Sequence, residues 1–365
     1  MDQLQYAAQQ FAGAGTVVDV EIFGNGNINK TYLVQLVGGD CERFVLQRIN
    51  ENVFVAPPLV MKNLATFSRH VQVRLQATAD KGRRAWEVPS VRPTLSGENC
   101  WVDAEGGFWR GLSLIEDVET HDTIRDMRHA REIGEALGTF HSLISDLPAD
   151  RLEDTLEGFH IAPLYLKQYD LAVGRWSSEN TDDVAFCREF VEERRAGVSV
   201  LEDAKDAGKL PIRPIHGDPK INNILVDVTS GCAVSIVDLD TVKPGLVHYD
   251  IGDCLRSGCN RLGEETTDWR SVRFDLELCR EILRGYLSEA TFLTETDREY
   301  LFDAIRLIAF ELGLRFFTDH LNGDVYFGAK HPTHNLERAL VQFQLAASIE
   351  AQEAPIREII AETGL

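Results

Sequence analysis

One strand-dense stretch, residues 212–242, interrupts a second half whose apolar residues otherwise fall at helical spacing. It limits what the chain can fold into more than any other feature. Its first part reads Ile215-His216-Gly217-Asp218-Pro219-Lys220-Ile221-Asn222-Asn223-Ile224-Leu225. Fifteen residues past Asn223, beyond a turn at Gly231, the apolar run Val234-Ser235-Ile236-Val237 ends in Asp238-Leu239-Asp240-Thr241. A lone polar hairpin held inside a helical body carries two carboxylate-bearing turns, and those turns ask for a chemical reason.

Phosphoryl transfer to a hydroxyl supplies one. Positioning and charge neutralisation provide nearly all of its catalysis, so a carboxylate beside the nucleophile and a metal-holding group must share a rigid loop. Asp218 and Asn223 stand five apart, as do the base and the metal-binding Asn of the kinase catalytic loop. Asp238 closes an apolar strand shortly afterwards, where kinases hold Mg²⁺ between the β- and γ-phosphates. Mg²⁺ takes few hard oxygen ligands from protein and completes its octahedron with phosphate and water. Asp238 with the Asn223 amide oxygen suits that need. Asp240, two residues on and on the same strand face, reads as a second ligand, an acceptor contact or a strand-end cap. Taken singly, His-Gly-Asp and Asn222-Asn223 also fit plain turns. In this order and spacing, the two motifs point to phosphotransfer with Asp218 as catalytic base, Mg²⁺ as cofactor and ATP as co-substrate.

The surrounding pattern agrees with such a site. Residues 16–23, 31–37 and 43–49 are rich in β-branched and aromatic residues and read as strands, after a short helix over 5–13. Leu64, Phe67, Val71 and Leu75 mark a helix over 60–78. Short strands over 86–88, 100–102 and 108–115 complete a small β-rich lobe. From about residue 120, helical periodicity predicts helices over 126–143, 182–204, 274–287, 299–321 and 336–360. The expected fold is therefore α+β and bilobal, protein-kinase-like. Residues 1–115 form a small nucleotide-binding lobe, and residues 116–365 a large helical lobe for catalysis and substrate.

Bulk properties narrow the partners. Acidic residues outnumber basic ones by 58 to 37, for a net charge of −21. Such a surface repels phosphate backbones and anionic headgroups, which argues against nucleic acid and membrane. No stretch approaches the roughly 20 apolar residues of a membrane span, and the first residues lack a basic-then-apolar signal pattern. The seven cysteines form no Cys-x-x-Cys pair or zinc pattern. These features predict a cytoplasmic protein with free thiols, a monomer or weak dimer, acting on a small molecule.

The motifs HGDPKINNIL and SIVDLD, with Gly245 and Tyr249-Asp250-Ile251-Gly252-Asp253 after them, resemble the aminoglycoside phosphotransferase and choline kinase superfamily. Residues 135–141 resemble its helix after the hinge, so the likeness runs from Gly24 to about residue 345. It implies a protein-kinase fold, with His216 and Asp250 bracing the catalytic loop. By the same resemblance Gly24, Asn25, Gly26 and Asn29 belong to a loop covering the nucleotide, and Thr31 to the strand it enters. A glycine between two strands also fits an ordinary hairpin, although its open backbone lets N–H groups approach phosphate closely.

One departure stands out. After Phe44-Val45-Leu46, where kinases place a lysine for the α- and β-phosphates, stands Gln47. Gln47 donates hydrogen bonds but carries no charge. Arg48 faces the other side of the strand by alternation. The helix over 60–78 contains no Glu to pair with a strand lysine. Lys30 and Arg48 are the candidates to compensate.

Within the superfamily, FGNGNINKTYLV, VDLDTVKPG and residues 311–327 resemble the N-acetylhexosamine 1-kinases. That resemblance implies an amino sugar acceptor beside Asp218, contacted by Asn27, Thr241, Arg315 and Tyr326. Arg315 alternatively forms a surface ion pair with Asp319 one turn on, and Tyr326 alternatively only packs. An amino alcohol, homoserine-like or aminoglycoside acceptor is the second reading. A nucleotide-binding scaffold without catalysis, suggested by the missing lysine, is the third.

Overall fold

The computed structural model describes residues 3–24, 28–39, 41–77, 85–178 and 181–363. Strands β1 (Thr16–Ile22), β2 (Lys30–Val37) and β3 (Arg43–Arg48) form an antiparallel meander. Strands β4 (Val91–Arg92), β5 (Trp101–Val102) and β6 (Phe108–Ser113) extend it, and the sheet runs β1-β2-β3-β6-β4 with β5 also paired to β6. Alternation sorts its residues. Val34, Leu36, Phe44, Leu46 and Trp109 pack on one face against Ala7, Ala8 and Phe11, from helix α1 (Gln3–Gln10) and the turn after it. The other face receives helix α2 (Pro57–Ala77), whose Leu64, Phe67 and Val71 join Phe108 and Leu112 in the main core.

Helix α2 is fastened to the second half of the chain. Phe67 stacks on Phe140 at 5.3 Å. The buried Asn63 amide donates to the Glu153 and Val242 carbonyls at 2.8 and 2.9 Å and accepts the Glu153 N–H at 2.9 Å. Phe140 belongs to helix α3 (Met127–Ile144), which follows a short strand β7 (Val118–Glu119) and starts at an Asp126 cap bonded to the His129 N–H. Helix α3 packs tightly along a later helix, α8, and a Cβ on Gly134 would fall 1.9 Å from the Ile282 carbonyl.

The remaining elements are helices α4 (Ala162–Arg175), α5 (Asp182–Arg194) and α6 (Val200–Asp206), then strands β8 (Arg213–Ile215), β9 (Ile224–Asp227), β10 (Ala233–Ile236) and β11 (Lys243–Gly245). Helices α7 (Val247–Gly258), α8 (Leu276–Glu289), α9 (Glu295–Glu299), α10 (Leu301–Leu321), α11 (His334–Glu350) and α12 (Glu353–Thr363) complete the chain. Strands β9 and β10 make the expected hairpin, joined at its edge by β7, and β8 pairs with β11. Helix α10 is buried on nearly all sides and forms the axis of this lobe, with Phe310 and Phe317 near Phe343. No described helix is long and apolar enough to cross a membrane.

Several expectations shift. Residues 86–88 are not a strand; pairing begins at Val91. The helix expected over 182–204 breaks into a 3₁₀ turn at Arg195–Gly197, and that over 336–360 breaks after Glu350. Helix α4 goes unread because Pro163 looks like a breaker, yet proline is tolerated in a first helical turn. Helix α7 is buried almost all round, so its sequence lacks the polar stripe that marks a helix.

Candidate active site

The turn after β8 is held from four sides. Asp250, fully buried on α7, accepts the backbone N–H groups of His216 and Gly217 at 2.6 and 2.8 Å. His141 Nε2 donates to the same carboxylate at 2.8 Å, and its Nδ1 meets the Tyr286 hydroxyl at 2.9 Å. Burial pushes the Asp250 carboxyl up, but the bonds from His141 and His216 outweigh it and hold the group below the usual range. Gly217 adopts φ +90°, and a Cβ there would lie 2.7 Å from the Thr241 carbonyl oxygen. The Thr241 hydroxyl donates to the His216 carbonyl at 2.8 Å.

His216 is enclosed, and its partners assign its tautomer. Nδ1 accepts the Asp218 N–H at 3.2 Å, so Nε2 carries the proton donated to the Val237 carbonyl at 3.0 Å. Burial pushes this imidazole down, with Asp250 and Asp218 acting weakly against it, so the ring is neutral. It braces the loop.

Asp218 emerges half-buried from this frame. Asn223, on a 3₁₀ turn, donates its amide N–H to the Asp218 carbonyl at 2.8 Å, which turns its amide oxygen the other way. Lys220 Nζ lies 3.1 Å from the Asp218 carboxylate, which raises the ammonium pKa above its usual value. The Val237 N–H donates to the Asn223 carbonyl at 2.8 Å, bringing the second motif alongside the first.

Strand β10 ends at Ile236, and Asp238 follows in a left-handed conformation, φ +67°. For a residue other than glycine this costs roughly 1–2 kcal/mol, and it turns the carboxylate out of the strand line. Asp238 is exposed to solvent. Desolvation by the protein atoms around it, then the Asp240 and Asp218 carboxylates, push its carboxyl up to about 6, with Lys220 and Arg110 acting in the opposite sense. Negative charge that Lys220 and Arg110 only partly offset, among hard oxygen donors, suits a small divalent cation. Among the described residues no three His, Cys, Asp or Glu side chains already converge on a metal position.

Asp240 departs from the sequence reading. It sits in a 3₁₀ turn, 2% exposed, with both oxygens engaged. Oδ1 lies 2.5 Å from Arg110 Nη2, and Oδ2 accepts from Asn29 Nδ2 at 2.5 Å. It is therefore neither on a strand face with Asp238 nor open to a ligand. Thr31, Gln47 and Arg110 form one row across β2, β3 and β6. The Gln47 oxygen accepts from Arg110 Nε and Nη2 at 2.9 and 2.7 Å, while its nitrogen donates to the Thr31 hydroxyl at 3.0 Å. Arg48 lies on the opposite face, 5.8 Å above Trp109. The buried cation beside Gln47 is thus Arg110, which sequence reasoning missed. Gly24 takes φ +73° at the head of the loop; Asn25, Gly26 and Asn27 lie outside the described residues.

Near the loop, a cavity of about 330 Å³ is lined by Phe159, Tyr165, Arg315, Tyr326 and Phe327 among others. The Arg315 guanidinium lies 5.0–6.0 Å from the rings of Tyr165, Phe159, Phe327 and Tyr326. Asp319 is not its partner. That carboxylate accepts the N–H groups of Val325, Tyr326 and Phe327 and the Asn335 amide. Burial disfavours the Arg315 charge, but Tyr165, Tyr326, Glu311 and Asp218 outweigh it and raise its pKa. A larger cavity of about 690 Å³, lined by Arg43, Arg92 and Glu116, contains none of these residues.

Residues 19–301 match the model of the phosphotransferase enzyme family. The chain belongs to that family. This phosphotransferase is a small-molecule kinase that takes an alcohol as acceptor. Its fold is shared with a microcompartment-associated aminopropanol kinase (15% identity, 97% of this chain and 98% of that one, TM-score 0.64). An aminoglycoside phosphotransferase from Alicyclobacillus acidocaldarius is similar too (15% identity, 98% and 96%, TM-score 0.65). So is a choline kinase from Cryptosporidium parvum (14%, 92% and 90%, TM-score 0.58).

Against that background the phosphotransferase brings Asp218, Asn223 and Asp238 together, with His216 and Asp250 as supports. Arg315 and Tyr326 line one cavity. Thr31, Gln47 and Thr241 sit at the site with side-chain groups already bonded to protein. Tyr165 and Phe159 were not foreseen; the Phe159-His160 pair, whose ring rests on Gly217, was the one available signal.

Proposed function

We propose that this kinase transfers the γ-phosphoryl group of ATP to the anomeric hydroxyl of an N-acetylhexosamine. Residues 1–115 hold the nucleotide, with Gly24, Asn25, Gly26 and Asn29 covering its phosphates, and residues 116–365 hold the catalytic loop and the acceptor. Asp238 and the Asn223 amide oxygen would hold Mg²⁺, which when bound would offset charge on the phosphates. Asp218 orients the acceptor hydroxyl and takes its proton as the oxygen attacks in line. Lys220 keeps the Asp218 carboxylate aimed. Arg315 and Tyr326, with Asn27 and Thr241, meet the sugar.

The observation that carries the choice of acceptor is Arg315. Among the described residues its guanidinium has no carboxylate within ion-pair reach, and it stands in a cavity framed by aromatic rings. A cation in that position repels an ammonium group and favours hydroxyl and amide oxygens. The amino alcohol reading rests on the solved aminopropanol and choline kinases of like fold and on the acidic surface. A panel of N-acetylglucosamine, N-acetylgalactosamine, choline, aminopropanol and an aminoglycoside, each with Mg²⁺-ATP and read by ADP release, separates the two. Turnover of a hexosamine is the expected result; turnover of only the cationic acceptors defeats the proposal.

A further inference from the structure

The Arg110–Asp240 pair joins the two halves of the molecule at one buried point. Arg110 lies in β6 and Asp240 two residues beyond Asp238, and each side chain is 2% exposed. On one side, Arg110 grips Gln47, which in turn holds Thr31, so the pair receives a row of three strands. On the other, Asp240 holds Asn29, the residue that closes the glycine loop, and Asn29 also accepts the Asn50 N–H at 2.9 Å. Helix α2 offers no alternative bridge from strand to metal turn. It carries no Asp or Glu, and its buried Asn63 is bonded to Glu153 and Val242 instead. A buried ion pair is a poor source of stability, because desolvating both charges offsets most of their attraction. What it supplies well is a single register for the elements it links.

We propose that Arg110 is a positioning residue for phosphoryl transfer: through Asp240 it fixes the left-handed Asp238 turn relative to Asn29, just before β2, and to strands β2, β3 and β6. The inference rests on the reading of Asp238 as the metal-holding carboxylate. Arg110 itself touches no substrate. Its planar fork reaches Gln47 and Asp240 together, which a lysine ammonium does less well. Loss of the fork lets the Asp238 turn drift, and a misplacement of about 1 Å costs on the order of 10²-fold in rate.

The test compares wild type with Arg110→Met, Arg110→Lys, Asp240→Asn and the Arg110→Met/Asp240→Asn double variant. Turnover is followed with N-acetylglucosamine, or whichever acceptor the panel identifies, while Mg²⁺ is varied; AMP binding without metal is measured by calorimetry. Arg110→Met should lose about 10²-fold in kcat and need about tenfold more Mg²⁺ for half-maximal rate. Its affinity for AMP should stay within about threefold, a change under 1 kcal/mol. Arg110→Lys should recover part of kcat, and the double variant should fall no further than the worse single one. Additive losses, equal losses in AMP affinity and kcat, or a folded Arg110→Met with wild-type kcat would overturn the positioning role. If Arg110→Met does not fold, Gln47→Leu, which loosens one side of the fork, must show the same split or the idea fails. Asp238→Asn is the control for the underlying reading: Mg²⁺-dependent turnover surviving there sinks the metal assignment, whereas its loss beside an unaffected Arg110→Met sinks only the role of Arg110.

Discussion

His160 rests on Gly217: its Nε2 donates to the Gly217 carbonyl oxygen at 2.6 Å, while its Nδ1 donates to the Glu311 carboxylate at 3.0 Å. Two acceptors require two ring protons, so the imidazole is charged. Glu311 comes from the buried axis helix α10, and Phe159 beside His160 lines the cavity. The floor of the Asp218 loop is therefore an ion pair beside the wall of the cavity that Phe159 and Arg315 line. Burial acts against the charge on His160, but Glu311 and the Gly217 carbonyl outweigh it and raise the pKa.

A pH signature follows from that sign. A raised folded pKa stabilises the protein fully below the unfolded value of about 6.5 and loses that contribution as pH rises through the folded value. The Tm gap between wild type and His160→Gln should be widest near about pH 6 and shrink toward about pH 9. Thermal melts of both proteins across that range check it. A gap that is flat or grows with pH would count against a charged His160.

Asp250 has the opposite sign. Its lowered carboxyl contributes stability above the unfolded value of about 3.9, lost as pH falls through the folded one. Asp250→Ala strands two backbone N–H groups and His141 in a dry interior. By the cost of breaking a buried pair, it should destabilise by about 3–5 kcal/mol. Urea unfolding at neutral pH measures this, and a change below about 1 kcal/mol would show that the loop does not depend on Asp250.

Asp218 and Asp238 divide by what their loss spares. Asp218→Asn removes the proposed proton acceptor while keeping size and hydrogen-bonding shape, so kcat should drop by about 10²–10⁴-fold with ATP affinity and Tm little changed. Asp238→Asn should instead weaken the response to Mg²⁺. Steady-state kinetics with metal titration, beside nucleotide binding by calorimetry, distinguish them. An Asp218→Asn enzyme with wild-type kcat would remove the assignment of the base.

What was legible in the sequence was what chemistry makes local. Asp218, Asn223 and Asp238 sit at short spacings because one loop and one hairpin must hold them, and β1 to β3 show their alternation in their own residues. Arg110 was illegible because its meaning lies in the β3–β6 register, 63 residues from Gln47. Asp240 misled because β10 stops at Ile236 and the chain then reverses hand at Asp238, which breaks the period-two rule. Asp319, one turn from Arg315, looked like an ion-pair partner. Only the return of residues 325–327 over the end of α10 shows that this carboxylate is claimed by backbone.

That reassignment makes Arg315 the residue that best tests the proposed acceptor choice. With Asp319 committed, the guanidinium's direct contacts among the described residues are ring faces, each worth about 0.5–2 kcal/mol, with Glu311 and Asp218 acting on its charge from farther off. Its N–H groups remain available to acceptor oxygens. Arg315→Met keeps the packing volume and removes both charge and donors, so the KM for a hexosamine should rise about 10–100-fold, matching the loss of one or two charge-assisted hydrogen bonds. The KM for ATP should stay within about twofold, because the proposed nucleotide contacts come from the other lobe. Arg315→Lys should rescue little, since an ammonium neither stacks on four rings nor presents a planar fork. The same Arg315→Met change removes the repulsion toward ammonium groups, so any trace activity on aminopropanol should rise rather than fall. If both KM values move together, or if aminopropanol turnover drops with the hexosamine, Arg315 supports the fold and does not select the acceptor.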